Sequence, residues 1–267
     1  MLTSSQSFGG ELSRVTGRSG VDSTDVRPSR PLAAAQERPL LSRAVRPWAA
    51  WALVASVVIV SALGVLFADQ TRANALDRAV DAPIINAFHG HHAAAYWLGR
   101  PGSELPAFLM VGAIVVVCLL LARLSGALLA VLGFAISEGL AEWVLKPLFN
   151  RTYLGSLVYP SGHMTAIAAL VATVTVLLFL PPQPARARVL RYLVLAVAYL
   201  LVIAVPVGLI ALRWHYFTDL VGGAALGVGT VIAVAFILDT PLIRSRLAVP
   251  NRWLRTITIS RGTPPSR

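Results

Sequence analysis

Three polar clusters interrupt the apolar stretches of this 267-residue sequence, and their residue types suit the chemistry of a phosphate group. They are Lys-Pro-Leu-Phe-Asn-Arg at 146–151, Pro-Ser-Gly-His at 160–163 and Arg-Trp-His-Tyr-Phe-Thr-Asp at 213–219. Lys146, Arg151 and Arg213 supply three cations, which suit the oxygens of a phosphate dianion. The clusters therefore predict a phosphate-binding site.

The residues between these cations add a nucleophile and an acid. Ser161 and Gly162 stand at a predicted helix start, where free backbone N–H groups favour an anion and Gly162 has no side chain to obstruct it. His163 and His215 offer one nucleophile and one general acid. Asp219 follows His215 by four residues, so its carboxylate is predicted to orient the His215 ring by accepting its other N–H.

The composition places these clusters in a membrane protein. Hydrophobic residues make up 56% of the chain, charged residues 13%, and the mean hydropathy is +0.71. Ordinary soluble domains carry about 25% charged residues, so too little charge remains here to cover a water-exposed surface. These values exclude a soluble enzyme and a disordered chain. Cys118 is the only cysteine, which excludes an internal disulfide.

Apolar runs long enough to cross a bilayer, which takes roughly 20 helical residues, predict an all-α fold with six transmembrane helices. The predicted spans are about 48–68, 105–122, 127–145, 164–180, 192–212 and 220–238. This six-span bundle occupies 47–240. Residues 1–46 are predicted to be a disordered cytoplasmic arm. Residues 241–267 are predicted to be a basic cytoplasmic tail, either lying along the anionic inner leaflet or solvated.

The distribution of basic residues predicts the orientation. The net charge of +11 would suggest nucleic acid in a soluble protein, but basic residues also accumulate in cytoplasmic loops. Seventeen of the 23 Lys and Arg residues fall on the side of the two termini and six on the other side. We therefore predict an integral plasma-membrane protein with cytoplasmic termini, three clusters facing outward and no nucleic-acid partner. The sequence does not predict an oligomeric state.

The motif Pro160-Ser161-Gly162-His163, with His215 and Asp219 after it and Lys146 and Arg151 before it, resembles the type 2 phosphatidic acid phosphatase family. This is the integral-membrane branch of the superfamily that includes the vanadium haloperoxidases, and the resemblance covers about 48–240. It implies that His215 attacks phosphorus to form a phosphohistidine, that Asp219 orients His215 and that His163 protonates the leaving oxygen. It also implies that no metal or other cofactor is needed, and that the phosphate is held by Lys146, Arg151, Ser161, Gly162 and Arg213.

Two arginine spacings depart from the family pattern. Arg151 follows Lys146 by five positions and precedes Thr152, whereas the family places the arginine seven after the lysine and before a proline. Leu209 stands where the family has an arginine six before the histidine. Arg213 either replaces that arginine in the pocket or faces lipid headgroups.

Each polar feature also has a structural interpretation. His163 is then a residue of a helix-capping turn, and His215 and Asp219 form an interfacial hydrogen bond beside an aromatic belt. Lys146 would extend towards the interface, although its being the only lysine favours a specific role. Glu138 and Glu142 share a helix face with Lys146 and either orient it, relay protons or neutralise its charge. Three histidines in the first outward connection, His89, His91 and His92, form either a metal site or the polar residues of a headgroup-level helix. Four glycines in the sixth span are predicted to allow close helix packing: Gly222, Gly223, Gly227 and Gly229.

The sequence therefore predicts a metal-independent phosphatase that hydrolyses a lipid phosphate or diphosphate at the outer membrane surface. Candidate substrates are polyprenyl phosphates or diphosphates, phosphatidic acid, phosphatidylglycerol phosphate and lipid-linked sugar phosphates. The alternative is a non-catalytic lipid-phosphate binding or transport protein on the same scaffold. The two histidines and Asp219 favour the enzyme, because a binder needs cations but no nucleophile and acid. A haloperoxidase-like enzyme using bound vanadate is a remote third possibility, since those enzymes are soluble proteins.

Overall fold

The computed structural model describes residues 39–179 and 188–247, and within them the predicted all-α fold is confirmed. A 3-10 turn, Arg100–Gly102, joins α3 to α4, and a π-helical segment, Leu140–Leu145, joins α5 to α6. Two short antiparallel strands, β1 (Thr152–Tyr153) and β2 (Ser156–Leu157), lie between α6 and α7. The helices are α1 (Arg46–Leu66), α2 (Ala75–Ala87), α3 (His92–Gly99), α4 (Glu104–Leu120), α5 (Leu124–Gly139), α6 (Lys146–Phe149), α7 (Gly162–Phe179), α8 (Arg188–Ala211) and α9 (Phe217–Leu238).

Four of these helical stretches are long and apolar enough to cross a membrane by themselves: Arg46–Leu66, Leu124–Phe149, Arg188–Ala211 and Phe217–Leu238. The pair His92–Gly102 and Glu104–Leu120 is bent by 42° and counts as a fifth span when taken together. α4 and α7 have 17 and 18 residues; at about 1.5 Å per residue, each is shorter than the roughly 30 Å of a bilayer core. The structure thus supports an integral-membrane helical bundle with four or five candidate spans, and the predicted count of six is not confirmed.

α9 is the central helix of the described bundle and packs against α1, α5 and α7. A side chain at Gly227 would lie 2.5 Å from the Thr165 carbonyl oxygen, and one at Gly223 would lie 2.5 Å from that of Ser161. A side chain at Gly222 would collide with Tyr159, and one at Gly229 would collide with Ser56. The packing interpretation is confirmed for Gly223 and Gly227, which lie against α7, and for Gly229, which lies against α1, while Gly222 lies against the Tyr159 ring before α7.

The last residues of the predicted N-terminal arm, 39–45, belong to the described structure and pack on the bundle. Leu40 and Leu41 are buried, and their backbone N–H groups donate to the two carboxylate oxygens of Asp239 at 2.7 and 2.8 Å. The disordered-arm prediction is therefore wrong for these residues, because Asp239 binds their backbone. Residues 1–38 of the arm and 248–267 of the tail lie outside the described residues.

Candidate active site

A cavity of about 930 Å³ lies at the start of α6 and α7 and beside the connection that leads into α9. Five of the eight residues predicted to form the site line this cavity: Lys146, Gly162, His163, Arg213 and His215. They come from three separate segments of the chain, so the fold brings the three polar clusters of the sequence to one place. Phe108, Phe134 and Trp143 line the same cavity and give it an apolar side between α4 and α5.

The two histidines face each other across the cavity. His163 is the second residue of α7 and His215 lies in the connection between α8 and α9, with their ring centroids 6.3 Å apart. In an in-line displacement the attacking atom approaches phosphorus to about 3 Å, and the acid reaches the leaving oxygen at a similar distance. Both rings line the same cavity, close enough for one bound phosphate to contact both of them. The Trp214 ring packs edge-on against His163, with the centroids 5.8 Å apart.

His215 has the protonation state that a nucleophile requires. Its side chain is buried, and this burial, followed by the charges of His163 and Lys146, lowers the pKa of His215 to about 3. A group whose pKa lies that far below neutrality is uncharged at pH 7. One ring nitrogen of His215 therefore carries a lone pair that can attack phosphorus.

Asp219 lies beside His215, but the two side chains are not hydrogen-bonded. His215 Nδ1 is 4.0 Å from Asp219 Oδ2, and within the described residues Nδ1 has no hydrogen-bond partner. Other donors bind both Asp219 oxygens: Arg151 Nη1 donates to Oδ1 at 2.6 Å, and the Tyr216 N–H donates to Oδ2 at 2.9 Å. The two side chains are thus close together without the predicted hydrogen bond, and a shift of about 1 Å would bring Nδ1 within hydrogen-bond range of Asp219 Oδ2.

Lys146 is bound by the neighbouring carboxylate of Glu142. Its Nζ lies 2.6 and 2.7 Å from the two oxygens of Glu142, so the charge-neutralising pair considered from the sequence is present. Glu142 Oε1 also lies so close to Gly162 that a methyl group there would collide with it. The Glu142 carboxylate therefore lies beside the start of α7, where an anion is favoured, and competes with a phosphate for Lys146.

Replacing Glu142 with glutamine is therefore expected to tighten the binding of orthophosphate. The change removes a competing anion and frees Lys146, and we expect the affinity to rise about tenfold, equivalent to about 1.4 kcal/mol. Isothermal titration of the purified protein measures the affinity directly. Glu138→Gln is the matched control, because Glu138 lines the same cavity but forms no hydrogen bond with Lys146 within the described residues. Equal affinities in the two variants would contradict this role of Glu142.

Arg213 also reaches the cavity, although it stands closer to His215 than the family pattern requires. It has a positive φ of 58°, which turns the chain directly after α8. Leu209, at the position where the family has its arginine, is fully buried in the apolar core. The structure thus places Arg213 as the cation on this side of the cavity.

Two of the predicted phosphate ligands do not line the cavity. The side chain of Ser161 is buried, and its Oγ accepts a weak hydrogen bond of 3.4 Å from the Met164 N–H at the start of α7. The guanidinium of Arg151 is fully buried between Asp77 and Asp219 and contacts both at 2.6 Å. A helix start binds Ser161 and two carboxylates bind Arg151, so neither side chain reaches the cavity in this structure, and their contact with a phosphate stays a prediction.

Asp77 and Asp81, for which no motif predicts a role, lie on α2 and contact the start of α9. Thr218 N–H donates to Asp77 at 2.9 Å, and Phe217 N–H donates to Asp81 at 3.2 Å. Their spacing of four residues on one face of an amphipathic helix was the available signal. The histidines of the first connection, His89, His91 and His92, are exposed, and within residues 39–179 and 188–247 no three His, Cys, Asp or Glu side chains are grouped to hold a metal ion.

A model of the PAP2 superfamily matches residues 127–241, which confirms the resemblance drawn from the sequence motifs. The match includes all eight predicted site residues but excludes α1 to α4. Members of this superfamily are phosphatases, so the match supports a phosphoric ester hydrolase. No curated protein and no solved structure matches the chain.

Proposed function

We propose that this protein is a metal-independent phosphatase that hydrolyses a lipid phosphate or diphosphate through a phosphohistidine intermediate. The observation that carries the proposal is the pair of histidine rings, 6.3 Å apart across a cavity that Lys146 and Arg213 also line. A nucleophile, an acid and two cations around one empty volume are the groups that phosphoryl transfer requires.

The reaction has two steps. In the first, the lone pair of His215 attacks phosphorus, the bond from phosphorus to the ester oxygen breaks, and His163 donates a proton to that oxygen. The leaving alcohol, or the leaving phosphate of a diphosphate, departs with that proton on its oxygen. In the second step water attacks phosphorus, His163 accepts its proton, and the bond from phosphorus to His215 breaks to release orthophosphate. Lys146 and Arg213 stabilise the charge on the phosphoryl oxygens in both steps.

The apolar side of the cavity supports a lipid substrate. Phe108 and Phe134 pack edge to face between α4 and α5, with ring centroids 5.4 Å apart, and Phe108 is largely exposed on the bundle surface. A phosphate bound beside His215 would therefore extend its apolar tail towards the lipid through this side. Polyprenyl phosphates and diphosphates, phosphatidic acid, phosphatidylglycerol phosphate and lipid-linked sugar phosphates all have this chemistry.

Orthophosphate release from a panel of these lipids, by purified protein with EDTA present, tests the proposal. We expect turnover of at least one lipid phosphate that exceeds the turnover of soluble phosphate esters, with no loss on chelation. Loss of turnover with EDTA would contradict the metal-independent mechanism, and preference for a soluble ester would contradict the lipid substrate. The buried position of Arg151 favours one alternative, a non-catalytic lipid-phosphate binder or transporter. That alternative predicts saturable binding of a panel lipid without orthophosphate release.

Helix directions support six membrane crossings. The stretch Leu124–Phe149 is long enough to cross and ends at the cavity through Lys146, so Leu124 lies at the opposite end of the bundle. α4 starts at the cavity with Glu104 and ends near Leu124, which supports a crossing by α4 as well. The same reasoning applies to α7, which starts at the cavity and leads to the far end of the long helix α8.

With six crossings both termini lie on one side, and the excess of Lys and Arg there assigns that side to the cytoplasm. The proposed active site then faces outward across the plasma membrane. In a Cys118→Ala background, Asn86→Cys on exposed α2 should react with an impermeant thiol reagent in intact cells. Ser245→Cys, exposed beyond α9, should react only after the cells are opened. The reverse labelling pattern would place the active site at the cytoplasmic face.

A further inference from the structure

A buried ion network lies next to the cavity and includes a residue outside the stretch that matches the superfamily. Arg151, Asp77 and Asp219 have fully buried side chains, and the guanidinium joins the two carboxylates through contacts of 2.6 Å on each side. Thr218 Oγ1 accepts from Arg151 at 2.7 Å and donates to Asp77 at 2.8 Å. The network connects α2, the segment before β1 and the start of α9.

The contacts of the two carboxylates favour their ionised forms. Asp77 accepts hydrogen bonds from the Thr218 backbone, the Thr218 hydroxyl, Arg151 and Asn74, and Asp219 accepts from Arg151 and the Tyr216 backbone. Each of these partners is a donor, so neither carboxylate needs a proton of its own. Two carboxylates and one guanidinium leave one net negative charge. Asp219 Oδ2, 4.0 Å from His215 Nδ1, directs part of that charge at the proposed nucleophile.

This charge matters at the moment of attack. When a neutral imidazole bonds to phosphorus, the ring becomes positively charged, and a nearby negative charge stabilises it in the transition state. If Arg151 were paired with Asp219 alone, the two charges would cancel and His215 would lose that stabilisation. Asp77 prevents the cancellation because it also binds the guanidinium, so that the positive charge is shared between two carboxylates.

We propose that Asp77 is a positioning residue that acts through Arg151, holding the guanidinium so that Asp219 keeps a negative charge directed at His215. Arg151 then acts on the nucleophile through Asp219 and is not a ligand of the phosphate. This accounts for its position five residues after Lys146, from which its side chain turns away from the cavity into the Asp77 pocket. The inference rests on the proposed function for its kinetic consequences.

Three variants test this role by changing the charge of the network in steps. Asp77→Asn leaves the network neutral, so kcat is expected to fall about thirtyfold while KM changes less than about threefold, because Asp77 does not line the cavity. Asp77→Asn with Arg151→Gln restores one net negative charge, and kcat is expected to recover to within about tenfold of the wild type. The double variant also avoids a buried unpaired cation, which favours its folding where the single variant fails.

Asp81→Asn is the matched control. Asp81 lies one turn along α2 and also binds the start of α9, but it does not contact Arg151 in the described structure. Burial, followed by the charge of Asp77, raises the pKa of Asp81 to about 7, so asparagine mimics a form that is already populated near neutral pH. Its kcat is expected to stay within about threefold of the wild type.

The results that overturn the inference are distinct. Equal losses in Asp77→Asn and Asp81→Asn would mean that Asp77 only caps α9. A double variant that is less active than the single variant, or that has a greatly raised KM, would return Arg151 to the phosphate site. A wild type without turnover on any panel lipid would contradict the proposed function instead. In that case the ¹⁵N NMR tautomer signature of His215 decides the inference, which predicts a changed signature in Asp77→Asn and is overturned by an unchanged one.

Discussion

His215→Ala is expected to lower orthophosphate release by at least about 10⁴-fold, equivalent to more than about 5.4 kcal/mol of transition-state stabilisation. The imidazole is the proposed attacking group, and removing it leaves only the cations of the cavity to act on the phosphate. Among the described residues that line the cavity, His215 is the only histidine besides His163. Steady-state release from the most active lipid of the panel measures the effect.

His89→Ala is the control for this experiment. His89 is exposed in the connection between α2 and α3 and does not line the cavity, so its variant should retain wild-type turnover. His215→Ala should still bind the lipid, because Lys146 and Arg213 remain in place. Residual turnover within tenfold of the wild type would show that His215 is not the nucleophile.

His163→Ala is expected to slow the hydrolysis of an alkyl lipid phosphate by about 10²–10⁴-fold, the usual contribution of a general acid. The physical reason is that an alkoxide leaves only with difficulty, so the proton from His163 is needed as the phosphorus–oxygen bond breaks. An aryl phosphate that carries the same apolar tail has a leaving group of low pKa and needs no acid. The burst of alcohol released in the first turnover isolates the step in which His163 acts as the acid from the later step in which it acts as the base. In that burst we expect the loss on the aryl ester to be less than about tenfold.

Comparing the two leaving groups separates the acid role from a structural one. Trp214→Leu removes the ring packed against His163 and should affect both esters to the same extent, because it perturbs packing and not proton transfer. Equal losses on the alkyl and aryl esters in His163→Ala would show that His163 does not protonate the leaving oxygen.

The long helices of the bundle could be predicted from the sequence because each corresponds to one continuous run of apolar residues. The predicted spans 48–68 and 220–238 overlap the helices Arg46–Leu66 and Phe217–Leu238 to within three residues at each end. The bounds of α2 and α3 could not be predicted, because they lie in a mixed polar stretch for which the sequence indicates only a headgroup-level helix near His89, His91 and His92. The π-helical segment before Lys146 leaves no sequence pattern of its own.

The site could be predicted where its residues come from local motifs. Gly162 and His163 reach the cavity because they begin a helix, and Arg213 and His215 reach it because they share one short connection. The position of Arg151 could not be predicted in this way. Its partner Asp77 is 74 residues away on a helix outside the motifs, and only the packed fold brings the two together. Charge and spacing predict which residues bind an anion, but not which carboxylate a given arginine binds in the folded protein.

Trapping the phosphorylated protein tests the central claim most directly. Wild-type protein is mixed with a phosphate-labelled substrate lipid, quenched within one turnover in alkali and digested, and the labelled peptide is identified by mass spectrometry. A phosphohistidine is stable in base and labile in acid, and the mechanism predicts one label on the peptide that contains His215, lost as orthophosphate when the reaction is allowed to continue. A label on any other residue, or turnover with no labelled protein at any time point, would contradict it.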